Sequence, residues 1–308
     1  MNKICTSFSL IFLLVSCGYN ADQPYSDTPT SGKVNIAADE TLVSLAKAQI
    51  DTFHGLYHYA AINVNYKSES ELFKALIVDS AKVIMATRKL NMEEVNYFKS
   101  RNLIPNVTKI AIDALAIIIN KNNVDSLLKV NQLAMILQGK IGSWKELNPK
   151  STLDKITFVF DNNGSSTVRY IKDSLMDGHQ FSSNCFAVNS NSDVIAYIEK
   201  HPNAIGVIGV SWISDKDDEA AMGFLSRIKV VSIGNDSASS VDDYYKPYQA
   251  YISLKKYPLI RDVYMINREG RAGLGTGFVS FVAGDQGQRI VRLLGMLPAT
   301  MPVRIVKI

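Results

Sequence analysis

Residues 109–120 read Lys-Ile-Ala-Ile-Asp-Ala-Leu-Ala-Ile-Ile-Ile-Asn, a run that is long for one strand and almost wholly apolar. A segment of this kind has no solvent face, so it runs through an interior with other elements packed on both sides. The chain around it has 308 residues, 47% of them hydrophobic, which is more than one typical domain needs. Two lobes are expected, with 109–120 as the crossing into the second.

From Lys33 onward short apolar runs alternate with amphipathic ones, the pattern of an α/β protein. Residues 34–38 predict a strand, and Leu42, Leu45, Ile50 and Phe53 follow at near-helical spacing, with Asp39 or Glu40 at the turn between. Residues 64–66 predict a second strand, after which Ser68 and Glu71 have capping-box spacing. Residues 82–87 predict a third, before a helix opened by Asn91 and Glu94. Beyond the crossing, a helix over 131–138 ends at Gly139, residues 156–160 form a buried strand, and a polar turn over 161–167 leads into Val168, Ile171 and Leu175 on one helix face. Residues 204–210 add a strand, and 215–219 are an acidic, solvated run. Residues 248–254 and 262–266 mark the return to the first lobe. One long helix is expected over 278–294, then a strand-like 303–308. No internal repeat is visible.

The first residues have the makeup of a targeting segment, with Lys3 ahead of a short apolar run over 8–15. The run ends in Leu14-Val15-Ser16-Cys17-Gly18, which resembles a bacterial lipobox. That resemblance implies a signal peptide over 1–16, acylation of Cys17 and a cell-envelope location on the periplasmic side of a membrane. The polar stretch that follows reads as a tether, giving 17–32 as linker. With Cys5 and Cys17 at the N-terminus, Cys185 is left as a lone thiol with no activating neighbour in sequence. The net charge of +4 is spread along the chain, without the Lys/Arg stripe that would displace counterions from nucleic acid.

Hydroxyl residues recur where a strand passes into a helix: Thr41; Ser68 with Ser70; and Ser165, Ser166 and Thr167. Each could simply cap its own helix. Converging on one cleft, the same three helix starts would bind a small oxyanion through unpaired N–H groups, hydroxyls and the positive dipole end. Arg88, after Thr87 at the end of the third strand, could add a guanidinium fork or lie on the surface.

Enzymatic signatures are missing. His54 and His58 have i, i+4 spacing but no His-Glu-x-x-His context. Gly164-Ser165-Ser166-Thr167-Val168 lacks the second Gly of a nucleophile elbow, and no P-loop occurs. Gly273, Gly275 and Gly277 read as a lead into the last helix, and Glu93-Glu94 and Asp242-Asp243 as solvated pairs. No catalytic residue, metal or cofactor is expected.

Residues 109–120, Gly139-Lys140-Ile141-Gly142-Ser143-Trp144-Lys145-Glu146-Leu147, Ser165-Ser166-Thr167, Ala204-Ile205-Gly206, Tyr257-Pro258-Leu259-Ile260-Arg261 and 278–298 resemble, in the same order, pieces of PstS-like phosphate-binding proteins. The resemblance implies a type II periplasmic-binding-protein fold, two α/β lobes closing on ligand by a hinge, with 33–110 and 246–308 as one lobe and 111–245 as the other. It implies a monomeric, non-enzymatic receptor that binds inorganic phosphate or a related oxyanion and delivers it to an ABC transporter permease. The family's ligand residues fall on Thr41 and Leu42, on Ser68 or Ser70, near Thr87 and Arg88, and on Ser165, Ser166 and Thr167. Two departures stand out: Asp161 occupies the place where many members carry Arg, and Ser166 replaces the turn's Gly. Arg88 could then supply the relocated charge, and Asp161 could accept a proton from a protonated phosphate. The alternatives are a binder of another small anion, a surface phosphate-ester hydrolase, and a sensory or structural lipoprotein.

Overall fold

The computed structural model describes residues 27–214 and 219–300, without the side chains of 219–222. Cys17 with the segment before it, the tether up to residue 26, residues 215–218 of the acidic run and 303–308 lie outside the described residues.

The strands are β1 (Gly32–Asp39), β2 (Ala60–Lys67), β3 (Val83–Ala86), β4 (Asn106–Asn120), β5 (Leu127–Lys129), β6 (Thr157–Phe160), β7 (Cys185–Ala187), β8 (Ala204–Gly209), β9 (Ile228–Val230), β10 (Ser232–Gly234), β11 (Tyr244–Tyr245), β12 (Ile260–Asn267) and β13 (Leu297–Pro298). Ten of them form one sheet, β2-β1-β3-β12-β4-β8-β6-β7, with β13 and β9 also paired to β4. Strands β5, β10 and β11 form a small second sheet.

Strand β4 belongs to both halves of the molecule. Asn106 to Ala114 pair antiparallel with β12, whereas Leu115 to Ile119 pair antiparallel with β8. One lobe is thus built on parallel β1, β2 and β3 with β12, the other on parallel β6, β7 and β8. Both faces of β4 are covered, as its unbroken apolar pattern demands. Leu115, Ile117 and Ile119 point into one core cluster and Ala116 and Ile118 into another, following the two-residue period of a strand. Strand β1 divides in the same way, Ile36 and Ala38 to one side and Ala37 to the other.

The helices that position the cleft are α1 (Val43–Leu56), α2 (Glu69–Ile77), α3 (Met92–Lys99), α4 (Val130–Leu137), α5 (Trp144–Leu147), α6 (Ser166–Leu175) and α7 (Asn191–Lys200). Helix α3 starts with the full Asn91–Glu94 capping box, and α4 is followed by Gly139 at φ +74. The expected long helix over 278–294 is instead two, Leu274–Ala283 and Asp285–Leu293. Gly284 between them is extended, and Asp285 starts the second helix with an acid that favours its dipole.

Residues 27–32, read from sequence as the end of a tether, pack on the folded body. Asp27 accepts the Leu274 N–H at 3.0 Å and pairs with Arg271 at 2.9 Å, and Gly32 already belongs to β1. The Gly-rich lead makes room for this segment: a Cβ on Gly277 would collide with the Pro29 carbonyl.

Candidate functional site

Strand β1 ends at Asp39, whose side chain caps the single 3₁₀ turn Glu40–Leu42 ahead of α1. Asp39 Oδ1 accepts both the Thr41 N–H, at 2.9 Å, and the Thr41 hydroxyl, at 2.7 Å. Leu42 is fully buried and belongs to the main core, so its side chain anchors this turn.

In the other lobe β6 runs into the turn at Asp161. Asn162 Oδ1 accepts the Gly164 N–H at 2.9 Å, and Ser165 caps α6 by accepting the Val168 N–H at 3.1 Å. The Ser165 hydroxyl donates to Asp161 Oδ1 at 2.5 Å, and Thr167 and Asn191 donate to Asp161 Oδ2 at 3.5 and 3.4 Å. Ser166 and Thr167 form the first turn of α6, where backbone N–H groups have no intrahelical acceptor.

These two starts meet. Thr41 Oγ1 lies 3.3 Å from Ser166 Oγ, and the Ser211 hydroxyl donates to the Thr41 carbonyl at 3.5 Å. The third start, at α2, joins from the first lobe: the Ser70 N–H donates to the Gly164 carbonyl at 3.5 Å, and Ser68 and Ser70 hydroxyls lie over Gly164. Ser68 makes no backbone cap; its hydroxyl donates to Glu71 at 3.2 Å.

The guanidinium at this meeting point is that of Arg261, on β12. Its Nε donates to Asp113 Oδ2 at 2.9 Å, one terminal nitrogen to Ser166 Oγ at 3.0 Å and the other to Thr41 Oγ1 at 2.9 Å. The side chains of Arg261 and Asp113 are 2% and 0% exposed. Because Thr41 gives its single proton to Asp39 and accepts from Arg261, Ser166 is left as the donor across the lobes.

Carboxyl groups crowd the same region. Burial pushes Asp39 up to about 6, against the pull of Arg261 and the Thr41 hydrogen bonds. Glu40 is pushed up to about 7 by burial and by repulsion from Asp161, Asp39 and Glu71. Burial also raises Asp113 and Asp161, with Arg261 opposing in both and the Ser165 hydrogen bond the stronger opponent at Asp161. Asp39 Oδ2, Glu40 Oε1 and Asp113 Oδ1 are buried acceptors without a donor. The site therefore combines one cation, hydroxyls and helix N–H groups with acids that hold protons more readily than usual.

Arg88 is not brought to this point. Its terminal nitrogens form a fork on Glu94 at 2.8 Å each, its Nε reaches Glu69 at 3.3 Å, and its plane stacks on Phe73. With two carboxylates already beside it, this guanidinium is compensated within its own lobe. Thr87 donates to Glu69 at 3.2 Å and accepts from Arg169 of α6 at 3.1 Å, so it lies at the rim of the cleft. Arg169 Nε also donates to Glu69 at 2.5 Å.

Arg261 and Asp113 are site residues that the sequence motifs do not single out. A signal existed, since Asp113 is a charge in the middle of an apolar strand, and a buried carboxylate requires a cation. Other features stay structural. His54 accepts the Ile62 N–H at 3.1 Å, and burial pushes the Cys185 thiol up to about 11. Among the described residues no cluster of three or more His, Cys, Asp or Glu is placed to hold a metal, and no helix is long and apolar enough to cross a membrane.

PstS of Staphylococcus saprophyticus, a phosphate-binding protein, is 26% identical over 222 residues, 70% of this chain and 65% of that protein, so the match spans just under two thirds of its length. PstS of Borreliella burgdorferi is 23% identical over 272 residues, 86% of this chain and 89% of that protein. A phosphate ABC transporter substrate-binding protein from Clostridium perfringens, solved with bound phosphate, superposes with a TM-score of 0.71 at 22% identity, covering 87% of this chain and all of that one. An ABC-type phosphate transport receptor from Vibrio cholerae gives 0.64 at 19% identity, with the same coverage. These likenesses establish the two-lobed α/β fold. A family model described as a PBP superfamily domain matches residues 23–286, most of the molecule including every element of the cleft, and the chain belongs to that superfamily.

Proposed function

We propose that this chain is a lipid-anchored extracytoplasmic receptor that captures inorganic phosphate between its lobes and delivers it to an ABC transporter permease, without catalysing a reaction. The observation that carries the reading is the buried Arg261 guanidinium, directed at the Thr41 hydroxyl of one lobe and the Ser166 hydroxyl at the start of α6 in the other. The names of the similar proteins support phosphate as the ligand and an ABC transporter as the partner. The lipobox-like Leu14-Val15-Ser16-Cys17 supports an anchor at Cys17 and a periplasm-facing location. The partner exchange of β4 after Ala114 supports lobes over 33–110 with 246–308 and over 111–245. The receptor acts as a monomer.

At 3.3 Å, Thr41 and Ser166 already touch. An anion that takes hydrogen bonds of about 2.8 Å from each lobe enters only when the lobes part; it replaces Ser166 as the acceptor on Arg261, and Thr41 turns its proton from Asp39 to the ligand. Closure over it then aligns the ligand with the α6 N–H groups, Ser165, Thr167 and the Ser68/Ser70 turn. The surrounding acids favour a ligand that brings its own proton: Asp161 and Asp39 accept hydrogen bonds from a protonated phosphate but repel fully ionised sulfate. Calorimetric titration with phosphate, sulfate and molybdate tests this. Saturable 1:1 phosphate binding with weak or absent sulfate binding is expected, and no heat with phosphate from pH 6 to 8 refutes it.

A further inference from the structure

We propose that Arg169 and Glu69 form a latch that draws the lobes together whether or not ligand is present, and so sets how long the site holds its anion. The proposal rests on the reading that ligand sits between the lobes, but the latch itself acts on the empty protein.

Glu69 is fixed entirely from its own lobe. It is the first residue of α2, its side chain is 5% exposed, Thr87 donates to Oε2 at 3.2 Å, and Arg88 Nε lies 3.3 Å from Oε1. Arg88 is divided, since both terminal nitrogens go to Glu94, whose side chain is 9% exposed. One cation therefore serves two buried carboxylates, and the first lobe presents an uncompensated negative charge at the rim. A carboxylate held away from water with too little positive charge is costly, and a cation brought to it relieves that cost.

Arg169, one turn into α6, supplies the cation from the opposite lobe. Its Nε donates to Glu69 Oε1 at 2.5 Å and a terminal nitrogen to Thr87 Oγ1 at 3.1 Å, while its other end keeps an i+4 pair with exposed Asp173 at 3.2 Å. When the lobes part, Arg169 retains Asp173 and water, but the only positive charge left to Glu69 is its share of Arg88, beside the Thr87 hydrogen bond. The change in compensation thus falls almost wholly on the closed state.

The latch differs in kind from the contacts around Arg261. Thr41–Ser166 and Arg261–Ser166 are bonds that a bound anion displaces, whereas Arg169–Glu69 lies to one side and survives with the anion in place. It raises the closed fraction of empty and loaded receptor alike, and apparent affinity scales with that fraction. Arg169 acts here as a positioning residue, through Glu69 and Thr87 and without touching the ligand.

The test uses the full chain and its Arg169→Ala, Arg169→Lys and Glu69→Gln variants, each checked for native circular dichroism. Small-angle scattering of the phosphate-free protein should give a compact wild type at low salt that expands modestly in about 1 M salt, where the 27% exposed Arg169 end of the pair is partly screened. Arg169→Ala and Glu69→Gln should be expanded at low salt and insensitive to added salt, with Arg169→Lys between because an ammonium lacks the planar fork that reaches Glu69, Thr87 and Asp173 at once. Phosphate affinity should fall roughly threefold to tenfold in Arg169→Ala, chiefly through faster release, as for a charge-assisted bond at a partly exposed site. Identical dimensions and salt response in wild type and Arg169→Ala overturn the latch. Absence of phosphate binding in every protein overturns the ligand instead, and the scattering still decides the latch.

Discussion

Replacing Arg261 with Met tests stability and binding with one side chain. Arg261 and Asp113 are both essentially unexposed, and the three hydrogen bonds of the guanidinium go to Asp113, Ser166 and Thr41. Its loss leaves Asp113 with backbone partners only, and removing one member of a buried ion pair costs about 3–5 kcal/mol. Burial already raises Asp113, with Arg261 opposing, so the variant's Asp113 should titrate higher still. A raised carboxyl weakens the fold only where it must be ionised, so the deficit of Arg261→Met should be largest at pH 7 and shrink toward pH 5. Asp113→Asn/Arg261→Met buries no charge and should regain most of the stability. Phosphate affinity should stay low in both, since losing a hydrogen bond to a charged group costs about 1.5–3 kcal/mol, roughly tenfold to 150-fold in affinity. Urea denaturation at pH 5 and 7 reads the first effect and calorimetry the second. The reasoning fails if Arg261→Met loses under about 1 kcal/mol, if the double variant is no more stable than the single one, or if phosphate affinity is unchanged.

Asp39, raised to about 6 from an ordinary 3.8, stabilises the fold fully below pH 3.8 and loses that contribution as pH rises through 6, about 3 kcal/mol in all. Asp39→Asn should therefore gain on wild type in urea denaturation between pH 4 and pH 7, and a difference constant with pH would contradict the assignment. Asp161→Asn should weaken discrimination against sulfate in competition titrations, and unchanged selectivity would count against Asp161 as the proton acceptor. Gly277→Ala should cost about 1–3 kcal/mol, the range for overpacking, because its methyl group displaces the Pro29 segment; an unchanged melting curve would show that the segment yields freely. Cys185, half-buried and pushed up to about 11, should react with a thiol reagent at pH 8 far more slowly than a free thiol, and rapid labelling of the folded protein would contradict that shift.

Most of the fold was legible because its signals are local. Asn91 and Glu94 mark a helix start by spacing alone, and Gly139 marks a helix end. The run 109–120 announces a strand with no wet face, and β4 is that strand. The break at Gly284 was obscured because both helices share one apolar periodicity across it. The end of the tether was misjudged for a different reason: Asp27 and Pro29 are polar or turn-forming residues, and what holds them is a glycine-lined surface almost 250 residues later in the chain.

The hydroxyl clusters could be read from composition and position, and each by itself reads more readily as a helix cap than as a ligand donor. The location of positive charge could not be read in this way. Arg88 stands beside the predicted site in sequence, yet Glu69 and Glu94 occupy it, while Arg261 reaches Thr41 from 220 residues away. The linear order of residues determined which segments are strands and helices, where the helix starts lie, and that the fold is a two-lobed α/β one. Only the tertiary arrangement decided which guanidinium faces the meeting point of Thr41 and Ser166, because a charge goes to whichever buried partner lacks compensation, and that balance exists only once distant strands are side by side.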